Sequence, residues 1–204
     1  MMLWSAAAPA PNPRRVTIFL AEKGLTIPVT DLAIFAREHK APAFLAKNPR
    51  GQVPALELDD GTVIAESISI CRYLDALHSE PPLFGIDPLD RALVDMVLRR
   101  VETILGVPLA MVWMHTHPLT AAVVVPQYRD FGESNRAKVD AALAWFDGQL
   151  AGGGFVAGER FTIADIALWT SLDFARFAGI ATPDNYPALA GWFARVAARP
   201  SITG

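Results

Sequence analysis

The sequence predicts two domains, an α/β domain with a mixed sheet followed by an all-helical domain. Signals for strands and helices alternate up to about residue 78, whereas only helical periodicity follows residue 89. The segment between them, HSEPPLFGIDP, is rich in proline and turn-forming residues, which is typical of a domain boundary. We therefore expect a first domain of residues 1–78, a linker of residues 79–88 and a helical domain of residues 89–204.

The elements of the first domain follow the order β-α-β-α-β-β-α. Gly24 ends the first helical pattern, and the turn Asp59-Asp60-Gly61 joins two apolar runs as a hairpin. The expected strands are residues 2–6, 28–31, 53–57 and 62–64, and the expected helices are residues 14–23, 42–47 and 66–77, with a loop at residues 35–40. This order predicts a mixed sheet with helices packed on it.

Apolar residues at helical spacing predict the helices of the second domain. Asp87 is a candidate cap for the first of them, and Pro108 predicts a kink or a break in it. Thr162 and Asp165 have the spacing of a capping arrangement, so we interpret Asp165 as a structural residue at the start of a central helix. The expected helices are residues 89–107, 109–115, 132–150, 163–178 and 187–198.

The segment NPRGQVPALELDDGTVIAES, residues 48–67, predicts a site for an extended, peptide-like ligand. Pro54 lacks an N–H and can adopt the cis form at modest cost, so the backbone of Val53 can face outward and pair with a ligand. Glu66 and Ser67 place a carboxylate, a hydroxyl and backbone N–H groups at a helix start, where an incoming carboxylate is favoured. An ordinary capped helix explains Glu66-Ser67 alone, but not their combination with the Val-Pro pair.

Composition and charge exclude several classes of function. The net charge is −3 and no basic stretch is longer than a pair, so nucleic-acid binding has no electrostatic support. No apolar run is long enough to span a membrane, and we expect no signal peptide. Cys71 is the single cysteine and is interpreted as a buried structural thiol, which fits a cytoplasmic protein. His115 and His117 have no further partner at zinc-ligand spacing, so we expect no metal.

Three motifs together resemble the cytosolic glutathione transferases. They are PNPRRVTIFLAEKGL, FLAKNPRGQVPALELDDGTVIAESISICRYL and FVAGERFTIADIALW, in the order and spacing of that family. The run APAPNPRR is similar to bacterial theta- and nu-like members. The resemblance implies a thioredoxin-like first domain with a cis-proline, glutathione as co-substrate without another cofactor, and a homodimer. Ile68, Tyr73 and the apolar face of residues 89–107 fit a dimer contact, although packing within the chain explains them as well.

The resemblance also implies which residues hold glutathione. Val53, before cis-Pro54, would pair with the cysteinyl backbone, and Glu66 and Ser67 would hold the γ-glutamyl carboxylate. The candidates for the glycyl end are Gln52, His39 and Lys40. For the last two, a solvated loop is an equal alternative.

The residue that activates the thiol departs from the family pattern. A hydrogen-bond donor near the sulfur stabilises the thiolate and lowers the thiol pKa. Ala10 occupies the slot in which many members carry a serine or a cysteine. Asn12, Ser5 and the N–H groups of the first helix turn remain as candidates, and Asn12 is preferred because it resembles the nu-like arrangement. A helix cap before Pro13 is an equally natural use of Asn12.

We expect the electrophile pocket between the two domains, where clefts normally form. Its candidate walls are Trp4, Ala8, Met111, Trp113, Met114, His115 and Phe177, with core packing as the alternative for each. These aromatic and methionine side chains suit varied apolar electrophiles, so conjugation of glutathione to such a compound is the favoured activity. The alternatives are a glutathione-dependent disulfide or peroxide reductase, favoured by the context of Asn12, and a non-catalytic glutathione-binding module, favoured by Ala10.

Overall fold

The computed structural model describes residues 1–203, which form two compact units. Unit 1 runs from Met1 to Leu83, and unit 2 runs from Phe84 towards the C-terminus. The boundary lies inside residues 79–88, the segment that the sequence marks as a linker. Among residues 1–203, no helix combines the length and the apolar character needed to cross a bilayer.

Unit 1 is built on a four-stranded mixed sheet. Its elements are β1 (Met2–Ser5), α1 (Pro11–Glu22), β2 (Val29–Asp31), α2 (Pro42–Leu45), β3 (Ala55–Glu57), β4 (Val63–Ala65) and α3 (Ser67–Leu77), with a 3-10 turn at Glu38–Lys40. The strand order is β2-β1-β3-β4; β1 is parallel to β2, and the other two pairs are antiparallel. The predicted order of elements and the mixed sheet are therefore confirmed.

The two faces of this sheet carry different side chains because successive residues of a strand alternate in direction. Leu3 pairs with Leu56, and Leu56 pairs with Ile64, so these three side chains share one face. Trp4 points to the other face, where its ring meets Phe44 of α2 at 5.9 Å between centroids. The face of Leu3 belongs to the buried core, whereas the face of Trp4 holds the short helix α2.

Helix α1 begins at Pro11, earlier than the predicted start at residue 14. Proline is tolerated in the first helical turn because the N–H groups there have no intrahelical acceptor. Ala10 is the N-cap residue, and no side chain caps the helix. The alternative in which Asn12 caps a helix before Pro13 is therefore wrong, because Asn12 already lies inside the first turn.

Unit 2 is helical, as the sequence predicts. Its helices are α4 (Pro88–Arg100), α5 (Val107–Thr116), α6 (Arg129–Ser134), α7 (Arg136–Leu150), α8 (Ile163–Phe177), α9 (Pro187–Ala197) and α10 (Pro200–Thr203), with 3-10 turns at Pro118–Thr120 and Pro183–Asn185. The short helix α10 was not expected from the sequence. Asp87 caps α4 as predicted, because its side chain accepts a hydrogen bond from the N–H of Asp90 at 2.9 Å.

Two expected helix boundaries in unit 2 differ from the structure. Pro108 does not break the helix: the chain stays helical through a π-helical stretch, Val101–Gly106, and proline follows in the first turn of α5. A widened turn accommodates a residue that has no N–H to donate. The single helix predicted over residues 132–150 is instead divided at Asn135, whose side-chain Nδ2 donates to the carbonyl of Phe131 at 2.7 Å and competes with the helical pattern.

Asp165 is the structural residue that its spacing predicts. Its Oδ2 accepts hydrogen bonds from the backbone N–H and the hydroxyl of Thr162, at 2.9 and 3.0 Å. Its Oδ1 accepts from the N–H of Val156 at 2.9 Å and from the indole of Trp192 at 3.0 Å. Burial raises the pKa of this carboxyl to about 6, although the four donors oppose that shift. The start of the buried helix α8 thus carries a capping box supplied by the protein itself.

Candidate active site

The backbone of Val53 is unpaired in front of a cis-proline. The Val53–Pro54 peptide bond is cis, and strand β3 begins only at Ala55. The N–H and C=O of Val53 form no hydrogen bond with any residue between 1 and 203. Two unpaired groups at the entrance of a strand are what an extended peptide needs for antiparallel pairing. The structure therefore offers the backbone edge that the sequence predicts for a peptide-like ligand.

The start of α3 follows directly on an unusual backbone conformation at Glu66. Its φ of 68° lies in the left-handed region, which residues other than glycine rarely adopt. No side chain caps α3 within the described residues. The carboxylate of Glu66 is exposed, whereas Ser67 is buried as the first residue of the helix. A helix start with unpaired N–H groups and a neighbouring hydroxyl favours a carboxylate as its ligand.

The loop between α2 and β3 folds back on the 3-10 turn at Glu38–Lys40. The ammonium group of Lys40 donates to the carbonyls of Arg50 and Gly51, at 2.9 Å each. Gly51 has a φ of 56°, and a Cβ atom there would stand 2.6 Å from the carbonyl oxygen of His39. Lys40 therefore holds the loop together and retains one of its three donors for a ligand. Lys40 nevertheless stays exposed, so the glycyl contact and the solvated alternative both remain predictions.

His39 is neutral at neutral pH. Its pKa is lowered by burial and by the positive charges of Lys40 and Arg37. Its Nδ1 atom is buried and has no hydrogen-bond partner among residues 1–203. Gln52 is exposed, and its side-chain Oε1 accepts a hydrogen bond from Arg50 at 2.9 Å. Both residues remain predicted contacts for the glycyl end of the ligand.

The candidates for thiol activation lie on either side of the β1–α1 connection. Ser5 ends β1 and is 1% exposed, and its carbonyl accepts from the N–H of Leu32 at 2.9 Å. Asn12 is exposed in the first turn of α1. Pro11 and Pro13 have no N–H, and the N–H of Arg14 is bonded to Ala10. The backbone donors of this turn are thereby reduced to one, the N–H of Asn12, which has no acceptor within residues 1–203.

The predicted electrophile-pocket residues of unit 1 have different surroundings. Ala8 is exposed, next to the cis Ala8–Pro9 bond. The indole N–H of Trp4 donates to Glu57 at 2.8 Å, and the Nζ atom of Lys47 lies 5.4 Å from the centroid of its ring. Trp4 is therefore held against α2 by its own domain, so the packing alternative accounts for its contacts.

The predicted electrophile-pocket residues of unit 2 fall into two ring clusters. The ring of Trp113 lies 4.1 Å from that of His117 and 5.0 Å from that of Phe174, which leads to the exposed Phe177 at 6.4 Å. His115 instead contacts Phe131 and Tyr128, at 5.5 and 6.0 Å between ring centroids. Met111 and Met114 are half-buried on α5.

Helix geometry explains this division. Met111 and His115 are four residues apart and share one side of α5, whereas Trp113 and His117 share another. His117 and Phe174 were missed as members of the aromatic cluster. Their spacings, four residues after Trp113 and three before Phe177, are the helical intervals that could have identified them.

Two further features lie outside these residues. A cavity of about 420 Å³ in unit 2 is lined by side chains of α7 and of the segment before α9, where Tyr186 donates to Asp140 and Arg136 pairs with Glu133. Cys71 is fully buried, and burial raises the pKa of its thiol, as expected of a structural cysteine. Residues 1–203 contain no group of three or more His, Cys, Asp or Glu side chains placed to hold a metal ion.

A mixed sheet with a cis-proline before β3, followed by a helical unit, defines a thioredoxin-like binding domain joined to an all-α domain. Residues 10–77 match the glutathione S-transferase N-terminal domain, and residues 111–200 match the glutathione S-transferase C-terminal domain. Glutathione S-transferase 2 of Saccharomyces cerevisiae is 38% identical over 99% of this chain and 88% of its own length. The chain belongs to the glutathione S-transferase family and is an enzyme that transfers glutathione.

Solved structures agree with this assignment. A glutathione S-transferase domain-containing protein of Marinobacter aquaeolei has a TM-score of 0.93 and 39% identity, with both chains fully covered. Gtt2 of Saccharomyces cerevisiae has a TM-score of 0.92 and 37% identity over 99% of this chain and 98% of its own. The maleylacetoacetate isomerase of Pseudomonas aeruginosa, at 33% identity, covers 92% of this chain, and the chain spans 87% of it.

Proposed function

We propose that this transferase conjugates glutathione to small apolar electrophiles. The observation that carries the proposal is the pair of unfilled binding elements in unit 1, the unpaired backbone of Val53 and the uncapped start of α3. Val53 would pair with the cysteinyl backbone, and Glu66 with Ser67 would bind the γ-glutamyl end. Gln52, His39 and the remaining donor of Lys40 would bind the glycyl end. Homology to curated transferases favours this over a non-catalytic binding module.

In the reaction, the glutathione thiol loses its proton to solvent and the thiolate attacks an electrophilic carbon. A sulfur–carbon bond forms while the carbon–halogen bond breaks, and the halide leaves with the bonding electron pair. With an activated alkene, the sulfur–carbon bond forms and a proton is taken up at the neighbouring carbon. The protein contributes by stabilising the thiolate and by holding the apolar partner near it.

Asn12 is the proposed thiolate donor, with Ser5 as the alternative. Support for Asn12 comes from the first turn of α1, where its side-chain amide and its backbone N–H are both exposed at one residue. A neutral donor stabilises a thiolate less than a charged group does, so we expect a moderate fall in the thiol pKa.

Ultraviolet titration of glutathione bound to the protein tests this step. Asn12→Ala removes the side-chain amide, and Asn12→Pro also removes the backbone N–H. We expect the thiol pKa to be lowered in the wild type, to rise in the first variant and to rise further in the second. Cys71 does not interfere near neutral pH because its own pKa is raised. An unshifted pKa in the wild type would contradict an activated thiolate, and a lowered pKa that survives both substitutions would move the role to Ser5.

The electrophile pocket is proposed to use the ring cluster of Trp113 and Phe177 in unit 2, with Met111, Met114 and His115 as further walls. The exposed ring of Phe177, which is 56% accessible, supports a flat apolar substrate. Turnover of a chlorinated nitroaromatic tests whether flat apolar electrophiles are substrates. Phe177→Ala should raise KM for that compound while leaving KM for glutathione unchanged. A rise in both constants, or in neither, would contradict this assignment.

The same kinetic assays can also detect two alternative activities. A glutathione-dependent reductase would reduce a mixed disulfide or a hydroperoxide, with glutathione supplying the electrons and ending as its own disulfide. The Pseudomonas relative is named for isomerisation of maleylacetoacetate, so that substrate belongs in the panel. Turnover of either in preference to the nitroaromatic would replace conjugation as the main activity.

We also propose a cytoplasmic homodimer with a role in detoxification. Leu89, Leu93 and Met96 lie at helical spacing along α4 and are 70%, 43% and 39% exposed. Such a stripe is costly in water and supports coverage by a second copy. Ile68 gives less support, because it is buried within unit 1.

Sedimentation velocity tests the dimer. Leu93→Glu should yield monomers, whereas Val123→Glu should not; Val123 is 69% exposed in the loop after α5 and serves as the matched control. A monomeric wild type, or a Leu93→Glu variant that stays dimeric, would contradict the proposed contact.

A further inference from the structure

A cluster of four side chains joins α2 to the sheet of unit 1, and we call it the clasp: Trp4, Phe44, Lys47 and Glu57. The Nζ atom of Lys47 lies 2.6 Å from Oε1 of Glu57, and the indole N–H of Trp4 donates to Oε2 of Glu57 at 2.8 Å. The Lys47 ammonium also lies 5.4 Å from the Trp4 ring centroid, within the range of a cation–π contact. Phe44 packs against the same ring in an edge-to-face geometry, with 5.9 Å between the ring centroids.

The clasp acts on a helix that cannot hold its own position. Helix α2 has four residues, and a single turn is unstable in water unless tertiary contacts fix it. Phe44 is the one residue of α2 that is buried. Lys47 lies two residues after the end of α2, so the pair of Phe44 and Lys47 fixes both the helix and the chain that leaves it.

The segment that leaves α2 leads straight to the proposed glutathione contacts. Asn48, next to Lys47, is 5% exposed, and its Nδ2 atom donates to the carbonyl of Gln52 at 2.8 Å. Its Oδ1 atom accepts from the N–H of Arg50 at 3.3 Å. Together with the bonds from Lys40 to the carbonyls of residues 50 and 51, these hydrogen bonds tie the loop to itself and to the turn at Glu38–Lys40. The position of this loop on the sheet therefore depends on the clasp, which attaches it to β1 through Trp4 and to β3 through Glu57.

We propose that the clasp positions the loop of residues 48–53 and thereby sets the affinity for glutathione, with Lys47, Glu57 and Trp4 acting as positioning residues. This inference rests on the proposed binding of glutathione at Val53 and Gln52. None of the three touches the ligand in the proposal; each acts through Asn48 and the loop.

The charge state of Glu57 fits this role. Its pKa is lowered, first by the hydrogen bond from Lys47 and then by the one from Trp4, so it is ionised at neutral pH and accepts from both. Lys47→Met keeps an apolar stem but removes the charge, and Glu57→Gln removes the charge at the other end. Because the two substitutions break one contact, their effects on glutathione binding should not add.

Calorimetric titration with glutathione and steady-state kinetics with a chlorinated nitroaromatic test the clasp. In each single variant and in the double variant, we expect Kd and KM for glutathione to rise by roughly two- to fivefold, the size of a partly exposed charge pair. The turnover number at saturating glutathione and KM for the electrophile should stay within about twofold, because binding alone is affected. Asp59→Asn is the matched control: it also changes an acid to an amide and breaks an ion pair of unit 1, that with the N-terminus.

The outcomes separate the clasp from the proposed function. Unchanged glutathione affinity in the variants of a wild type that binds glutathione overturns the clasp alone. Additive effects in the double variant, or an equal effect of Asp59→Asn, overturn it as well. A wild type that does not bind glutathione overturns the proposed site and the clasp with it. If Lys47→Met fails to fold, Trp4→Phe decides: it keeps an aromatic ring but removes the N–H donor, and it should raise Kd by about two- to threefold.

Discussion

The starts of helices α8 and α3 use the same kind of unpaired backbone group in opposite ways. At α8, Asp165 and Thr162 form a capping box within the protein, and the fully buried carboxylate of Asp165 accepts hydrogen bonds from four donors. At α3, no side chain caps the first turn, and Glu66 holds an unusual positive φ beside it. A closed helix start contributes to folding, whereas an open one keeps its N–H groups for a ligand.

The start of α1 is a third arrangement between these two. It has no capping side chain, yet prolines on both sides of Asn12 remove most of its backbone donors. One N–H and one side-chain amide therefore remain, both at Asn12. The residues of the first turn therefore determine how many backbone donors a helix start can offer to a ligand.

Removing the carboxylate of Asp165 from the start of α8 should have the largest effect on the free energy of unfolding. Asp165→Ala leaves the Thr162 and Val156 N–H groups and the Trp192 indole without their acceptor in a buried place. We expect a loss of about 3–5 kcal/mol in the free energy of unfolding, measured by urea denaturation. The remaining folded protein should bind glutathione with unchanged Kd. A loss below about 1 kcal/mol would contradict the structural role of this carboxylate.

Titration of the Asp165 carboxyl should change the free energy of unfolding by a smaller amount. Its folded pKa of about 6 is above the unfolded value near 3.8, so the folded state binds a proton that the unfolded state has lost. The contribution of Asp165 to stability should therefore fall as pH rises from about 4 to about 6, by at most about 3 kcal/mol, and stay level above that. The difference in unfolding free energy between wild type and Asp165→Asn isolates this group. A difference that grows with pH in that window would contradict the raised pKa.

At the open start of α3, stability and binding should respond in opposite directions. Glu66→Gly relieves the positive φ and should raise the free energy of unfolding by up to about 1 kcal/mol. The same change should weaken glutathione binding by about tenfold, because the carboxylate is lost. Ser67→Ala is the companion variant, with weaker binding and no gain in stability. Calorimetric titration with glutathione measures the binding of both variants, and thermal melts measure their stability. A Glu66→Gly variant that binds glutathione normally would remove Glu66 from the site.

The smallest effect is expected at the start of α1. Asn12 caps nothing, so Asn12→Ala should change the free energy of unfolding by less than about 0.5 kcal/mol. Ala10→Ser introduces a capping hydroxyl at the N-cap position and should stabilise the protein by about 0.5–1 kcal/mol. Thermal denaturation measures both. A clear destabilisation by Asn12→Ala would show that this side chain has a structural partner after all.

Individual helices and strands show which features of the fold could be predicted from the sequence. The hairpin of β3 and β4 and the capping box of α8 were predicted because their signals are local: an Asp-Gly turn, and a Thr and an Asp three residues apart. The passage of the helix through Pro108 and the interruption at Asn135 were not predicted. Each depends on how a few backbone groups are satisfied in place, and periodicity does not report that.

In the candidate site, too, only features built from residues close in the chain could be predicted. The unpaired backbone of Val53 and the Glu66-Ser67 helix start could be predicted from residues that are close in the chain. The engagement of Trp4 could not, because its partner Glu57 lies 53 residues away and is brought beside it by sheet pairing. The use of Lys40 within the loop also follows from the close approach at Gly51, which no spacing indicates.

The order of the elements, the candidate ligand-binding segment and the structural role of Asp165 could be predicted from the residues alone. These follow from turn chemistry, helical periodicity and capping, which act over a few residues. Only the tertiary structure decided which donors are left for a ligand: the one N–H of α1, the third donor of Lys40, and the backbone of Val53. The physical reason is that a polar group is unpaired only relative to all of its neighbours, and folding alone brings those neighbours together.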